Sequence, residues 1–407
     1  MEIRGYPVSL YLAVRGIRRG NRGTLLLTIL LIALMVVLMN FMVTVMGSLI
    51  TQYYQQIIDY QYGDVVIVPQ DKQTYIDNAA SLVDRLQRIP GVAGVSSRLT
   101  TGVTITNPQN GIFQPESLTA FNPDDEKTVT KYNQKIIDGD FLSKDDSGSI
   151  LIGVLLAGNE DVTKDKVPSL GGVRVGDLVT VSYNNGVMKT YRVKGIFETD
   201  NTLNDAAAFI SRTEMDNVLH LPGKATAVLV RGTDPSLDPA YALQLKYILM
   251  QFGVQDQAKT WSEKGKALLE DSLGSLQKIE YLITLVGLVV ASMVVFVITF
   301  INISNRRKQI AILKAIGIRR QTIIGNFLVQ TFFLCTCGAA VGWLMLEGIT
   351  ALLNLYPIKF NLGYLYPVID YGFFAISILC LYLVSLISGY LPARTVANED
   401  ILEAMRG

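Results

Sequence analysis

The residues able to do covalent chemistry are few among these 407 positions, and they do not gather. His220 is the single histidine, which argues against histidine-based zinc sites and Ser-His-Asp catalysis. Cys335, Cys337 and Cys380 all lie in apolar runs, and Cys335-x-Cys337 has the wrong spacing for a redox pair. The polar middle of the chain has no cysteine, so it must fold on its own core without disulfides. Gly223-Lys224 and Gly265-Lys266 lack both the upstream glycine and the following Ser/Thr of a phosphate-cradling loop. Asp124-Asp125-Glu126 and Asp145-Asp146 lack the alternating ligands of a calcium loop and read as solvated turns. Glu347, near the outer end of an apolar run, is an intramembrane carboxylate of the kind that often marks function. Its depth suits a hydrated interface better than a proton relay. No catalytic, cofactor-binding or metal-binding residue is therefore expected, and no enzyme.

The chemistry this chain does offer is concentrated charge. Residues 302–323 hold Arg306, Arg307, Lys308, Lys314, Arg319 and Arg320 and no acid, between apolar runs at Tyr281–Ile301 and Ile323–Leu353. A short basic loop between two spans belongs on the cytoplasmic side. Ile310, Leu313 and Ile316 recur there at helical spacing, and Gly317 follows as a left-handed stop. Spacing and charge predict a short amphipathic helix, but they fit a plain solvated connector as well as a docking element.

The elements around that loop follow from hydropathy. Half the residues are apolar and the mean hydropathy is +0.33, high for a soluble protein of this length. Residues 1–23 form a basic amphipathic N-terminal segment, and 24–49 a first span too long for a signal peptide. The segments 281–303, 323–353 and 372–391 read as the other three spans, with a tyrosine-rich outer loop at 354–371 and a tail at 392–407. The three cytoplasmic stretches carry 13 basic and 4 acidic residues; against +1 for the whole chain, everything else sums to −8. That split fits this topology and argues against nucleic acid as a partner.

Between the first two spans, residues 63–258 read as an α+β domain outside the membrane. Strands are predicted at Asp64–Pro69, Val173–Tyr183, Val187–Phe197 and Thr226–Arg231, and helices at Tyr75–Ile89 and Pro239–Phe252. Asn184-Asn185-Gly186 is the strongest hairpin signal. Stalk helices are predicted at 50–62 and 259–280, the second with a near-heptad seam of Leu269, Leu273, Leu276 and Ile279. Gly287 with Ala291, and Gly338 with Gly342, are small-residue pairs permitting close helix approach, and are expected to pack two copies together.

Several phrases resemble one family. The run from Gln309 to Gly317 (QIAILKAIG), flanked by basic clusters, resembles the coupling helix of the MacB/FtsX-like permeases of ABC transporters. LQRIPGVAGVSSRL, SILIGVLLAG, VRVGDLVTVSY and the closing LPARTVANEDILEAMRG resemble the same family, so the likeness covers nearly the whole chain. Gln309 departs from it, standing where the family usually has an acid. The resemblance implies a four-span permease whose exterior domain is a porter module with a β-rich insert, here at 112–190. It also implies that 304–322 is the coupling helix, with Arg306, Arg307, Gln309, Ile310, Leu313, Lys314, Ile316 and Gly317 meeting a separate ABC ATPase that binds the ATP and Mg. Such permeases work in pairs, as two copies or with a homologous permease, in the bacterial inner membrane with both termini inside. An adaptor outside that membrane is a further candidate partner. The implied work is export or extraction of a drug, peptide, lipid or lipoprotein; alternatives are activation of a cell-wall hydrolase, as shorter relatives do, or a membrane-anchored receptor.

Overall fold

The computed structural model describes residues 22–398, apart from 71–72, 166, 235–236, 255–256, 267–281, 302–309, 361–362 and positions scattered through 283–299 and 311–316. The chain divides into two compact units. One comprises Met1–Leu49, Leu273–Ile358 and Leu365–Gly407; the other comprises Ile50–Ser272 with Lys359–Tyr364.

The first unit is helical. Helix α1 (Arg22–Gln56) begins in it, and α7 (Arg320–Leu355) and α8 (Tyr371–Asn398) lie within it. Three helices among the described residues are long and apolar enough to cross a bilayer, the first running from Leu25 to Tyr62 over 38 residues. At 1.5 Å per residue that helix rises roughly 57 Å, nearly twice a hydrocarbon core of about 30 Å. Every described position from Leu282 to Ile301 is also helical. Ile32, Val36, Leu334, Cys335 and Leu381 close a core among α1, α7 and α8. Inside that packing the Asn40 amide donates to Val36 O at 2.8 Å and accepts from Ser377 Oγ at 3.0 Å. Leu26, Leu30, Leu34 and Leu38 point outward from α1, as a lipid-facing surface requires. The helix α8 continues past Leu391 to Asn398, into the stretch expected as tail.

The second unit is a mixed sheet of ten strands covered by helices. Its strands are β1 (Val65–Ile67), β2 (Val92–Thr106), β3 (Phe113–Phe121), β4 (Ile136–Gly139), β5 (Ser149–Gly153), β6 (Leu178–Tyr183), β7 (Met188–Phe197), β8 (Ala208–Ser211), β9 (Ala227–Gly232) and β10 (Ala258–Thr260). The longer helices among them are α2 (Ala79–Leu86), α3 (Pro123–Val129), α5 (Arg212–Leu219) and α6 (Pro239–Gln251), with one turn, α4, at Val154–Ala157. The order runs β10-β1-β9-β2-β3-β8-β5-β7-β4, with β6 paired to both β2 and β7.

Strand β2 ties the unit together. One of its edges takes β9 along 92–98 and β6 along 103–106, while the other takes β3 along 98–106. Its first half therefore supplies Val95 to a core with Val65, Ile67, Leu86, Val230 and Leu249. Its second half supplies Leu99, Val103 and Ile105 to another core, with Ile150, Val181, Tyr191 and Met215. That second core draws on residues 99–105 and 191–218 as well as on 112–190. The β6–β7 hairpin turns at Gly186 with φ 84°, where a β-carbon would be strained.

Candidate force-transmission site

The α1 helix must end somewhere, and its last carbonyls then need partners. After Gln56 it continues as a π-helical turn, Ile57–Tyr62, and stops at Gly63 with φ 65°. A β-carbon on Gly63 would lie 2.7 Å from Val230 O, so glycine lets the chain turn directly against β9. Gly94 of β2 pairs with Arg231 of β9, and Arg98 follows four residues later, which puts both arginines on one face of the sheet. That face meets the helix end. Arg98 donates from Nη1 to Gln61 O at 3.0 Å and from Nη2 to Tyr60 O at 2.9 Å. Arg231 donates from Nη1 to Ile58 O at 3.1 Å and from Nη2 to Asp59 Oδ1 at 3.1 Å. Two guanidinium groups thus cap the negative end of the helix dipole.

The charges are matched. Lys131 Nζ reaches Asp59 Oδ2 at 2.8 Å, and the backbone N–H of Lys131 donates to Asp59 O at 2.9 Å. Glu126 pairs with Arg98 and also accepts from Ser96 Oγ at 2.6 Å and Thr130 Oγ1 at 2.8 Å. Burial opposes the Arg98 charge, but the Glu126 carboxylate outweighs it and holds the group above its ordinary value. Burial pushes Asp64 up, against the Gly232 N–H at 2.7 Å and Arg231 nearby. Rings complete the seat: Tyr60 packs edge-on to Tyr132 at 5.1 Å, and Tyr132 to Phe197 and Phe209. On another side Ile57 and Ile58 join Tyr53, Ala242 and Trp261. Trp261 lies 4.9 Å from Tyr54, and a β-carbon on Gly265 would be 2.6 Å from the same ring. The chain returning toward the membrane therefore starts beside the helix that left it. Leu269, Leu273, Leu276 and Ile279, expected to line the stalk, lie outside the described residues.

The small residues of the helical unit sit where helices pack closely. An ideal β-carbon on Gly338 would lie 2.5 Å from Ile32 Cγ2; on Gly342, 2.8 Å from Val36 Cβ and 2.9 Å from Ala33 O. On Gly287 it would lie 2.9 Å from Met39 Cγ. All three glycines admit α1 of the same chain. The close approach at these glycines is intramolecular. Ala291 lies outside the described residues.

The family model of the MacB-like periplasmic core domain matches residues 25–246, more than half of the chain. That of the FtsX-like permease C-terminal matches residues 281–401. The chain belongs to the MacB/FtsX-like ABC transporter permeases. Among curated relatives of these permeases, the macrolide export ATP-binding/permease protein MacB of Agrobacterium fabrum is 26% identical over 221 residues, 53% of this chain and 33% of that protein. The MacB of Hahella chejuensis is 25% identical over 182 residues, 44% of this chain and 27% of that protein. The matched stretches thus span about a third or less of those relatives' length. Solved structures similar to part of the chain include the periplasmic region of MacB from Actinobacillus actinomycetemcomitans, with a TM-score of 0.36, 11% identity and coverage of 50% of this chain and 91% of that one. The extracellular domain of the ABC-type transporter YknZ from Gram-positive bacteria has a TM-score of 0.34, 13% identity and coverage of 48% and 97%.

In this MacB/FtsX-like permease the basic loop is only partly described: Arg306, Arg307, Gln309, Leu313, Lys314 and Ile316 lie outside the described residues. Gly317 has φ 90°. Ile310 is 4% exposed and packs on Ile323 and Phe327 of α7, with Ile318 and Ile324 beside it. It therefore faces its own chain. Ile312, two residues on, is 53% exposed. In helical projection the two point to opposite sides.

Sequence reasoning passed over Arg98, Arg231 and Asp59, and it placed Glu126 in a solvated turn, whereas that carboxylate is buried against Arg98. A signal was present: Asp59 interrupts an Ile-Ile-x-Tyr face, and Arg231 closes a Val-Leu-Val strand. Charges in such runs are rarely buried unless paired, but nothing local names their partners. Asp124 and Asp125 sit in the first turn of α3, where Asn122 caps the helix. Among the described residues no three His, Cys, Asp or Glu side chains gather as a metal site.

Proposed function

We propose that this permease converts the motion of a separate ABC ATPase into movement of its exterior domain, without carrying substrate through its own helices. It spans the bacterial inner membrane four times, with both termini inside and residues from about 52 to 278 outside, and works in a pair. The single observation that carries the reading is the seating of α1. One uninterrupted helix leads from a lipid-facing apolar run to a buried double-arginine clamp on two adjacent strands. A displacement along that helix would be delivered to the sheet rather than dissipated in a loop, because packed elements have discrete arrangements. ATP and Mg are assigned to the ABC ATPase, since no phosphate-cradling loop lies within these 407 residues. The relatives' names point to macrolides; the substrate here is of that broad kind, a drug, peptide, lipid or lipoprotein handled outside the membrane.

The test is reconstitution of the full permease with its ATPase in vesicles. Arg98→Ala with Arg231→Ala should leave ATPase binding intact and abolish substrate movement. Substrate movement at the unmodified rate by a folded double variant would sink the reading. Cysteines placed at Ser147 and Ser304, in a background lacking the native three, should label from outside and inside respectively.

A further inference from the structure

The stretch between α7 and α8, expected as an outer loop with an aromatic belt, contains a hairpin of β11 (Ile358–Phe360) and β12 (Gly363–Leu365). Its residues Lys359–Tyr364 belong by their contacts to the exterior unit and not to the helices on either side in sequence. Lys359 Nζ donates to Glu198 Oε1 and to Asp200 Oδ1, each at 2.8 Å. The same ammonium lies 5.6 Å from the Tyr364 ring, and Gln52 Nε2 donates to Tyr364 O at 2.6 Å. Two separate elements of the exterior unit therefore hold the hairpin, the end of α1 and the loop after β7.

The acidic side of this contact is built in advance. Thr199, Asn201, Asn204 and Asp205 are all buried, and the Asp205 carboxylate accepts from the Thr199 N–H at 2.6 Å and its hydroxyl at 2.8 Å. Asp200 stands within that loop at φ 63°, a conformation a non-glycine residue keeps only when its surroundings impose it. Hydrogen bonds from Lys359 to Asp200 and Glu198 hold the lysine's pKa well above its ordinary value. A cleft of about 190 Å³ beside the pair is lined by Lys164, Asp165, Asp205 and the three ion-pair partners.

We propose that the β11–β12 hairpin is a releasable ionic strap, held on the exterior unit by Lys359 against Glu198 and Asp200 beside the hydrogen bond from Gln52 of α1. The chain enters the hairpin from one apolar helix and leaves into another, so whatever moves those helices pulls on Lys359. Half-exposed ion pairs are weak and screened by salt, which lets the strap open and reclose within a transport cycle. Its use in that cycle rests on the transmission reading; its existence does not.

Amide hydrogen exchange across residues 358–365 of the full chain in lipid nanodiscs tests the strap without any ATPase. Lys359→Ala should speed exchange there by roughly three- to five-fold, the size expected for losing such pairs. Added salt should speed the unmodified chain but not that variant. Lys359→Glu should be faster still, and Lys359→Glu with Glu198→Lys should recover most of the protection. Hairpin exchange indifferent to Lys359→Ala, or a charge swap as fast as the single reversal, would overturn the strap. Transport unchanged in Lys359→Ala would overturn its use in the cycle. Failure of the transmission reading appears elsewhere, as transport surviving the loss of Arg98 and Arg231.

Discussion

Arg231 of β9 donates to Asp59 of the π-helical turn at 3.1 Å while the same guanidinium caps Ile58 O at 3.1 Å. One side chain thus neutralises a helical acid and terminates the helix backbone. Both partners are nearly buried, at 12% and 8% side-chain exposure, so removing Arg231 leaves the Asp59 carboxylate to Lys131 alone among the cations and leaves Ile58 O uncapped in a low-dielectric seat. Arg231→Ala should destabilise the exterior domain by about 3–5 kcal/mol, read as a drop in its thermal midpoint. A double-mutant cycle with Asp59→Asn should give a coupling energy of about 1 kcal/mol or more. Additive single effects would mean that the contact is incidental.

The glycines of α7 give a second expectation. Gly338→Ala and Gly342→Ala each place a methyl where Ile32 or Val36 already stands. Overpacking of this kind costs about 1–3 kcal/mol, so both variants should unfold at lower temperature in detergent with the oligomeric state unchanged. A variant of full stability that shifts the balance between one copy and two would return these glycines to an interface between chains.

The loop before α7 offers a contrast between neighbours. Ile310→Asp buries a carboxylate against Ile323 and Phe327 and should impair folding. Ile312→Asp, on the exposed side, should leave the fold intact and weaken ATPase binding by at least ten-fold, or about 1.4 kcal/mol, in a pull-down with purified ATPase. The opposite pattern would place the docking face on the Ile310 side, with Leu313→Asp then the uncoupling variant.

Asp146 supplies a pH test in the exterior domain. Burial pushes its carboxyl up, but hydrogen bonds from Lys194 and Ser143 outweigh this and leave it below the ordinary 3.8. A lowered carboxylate stabilises the fold above its unfolded value, and that contribution fades as pH falls through the folded one. Asp146→Asn should therefore lower the thermal midpoint at neutral pH, and the gap from the unmodified protein should close below about pH 3.8. A gap constant down to pH 2 would assign the effect to packing.

Some of this was legible in the chain because its causes are local. A bilayer of fixed thickness demands long apolar runs, and α1, α7 and α8 are such runs. A type of turn that needs positive φ demands Gly186, and the β6–β7 hairpin forms around it. Six bases without an acid mark residues 302–323 by charge alone. Whole phrases carried the family.

Other features depended on what meets what. The 15-residue strand β2 mixes threonine, serine and glycine without clean alternation, because β9, β6 and β3 claim different parts of it and bury different sides. Ile310 and Ile312 are equally apolar, and only the packing of α7 decides which is hidden. Gly338 and Gly342 announce a close neighbour but cannot say whether it is another chain or α1. Arg98 reaches Tyr60 across 38 positions of sequence, and Lys359 reaches Glu198 across 161. Local pattern names the residue type that such a contact needs; the partner is chosen only when the sheet has brought distant segments to one face.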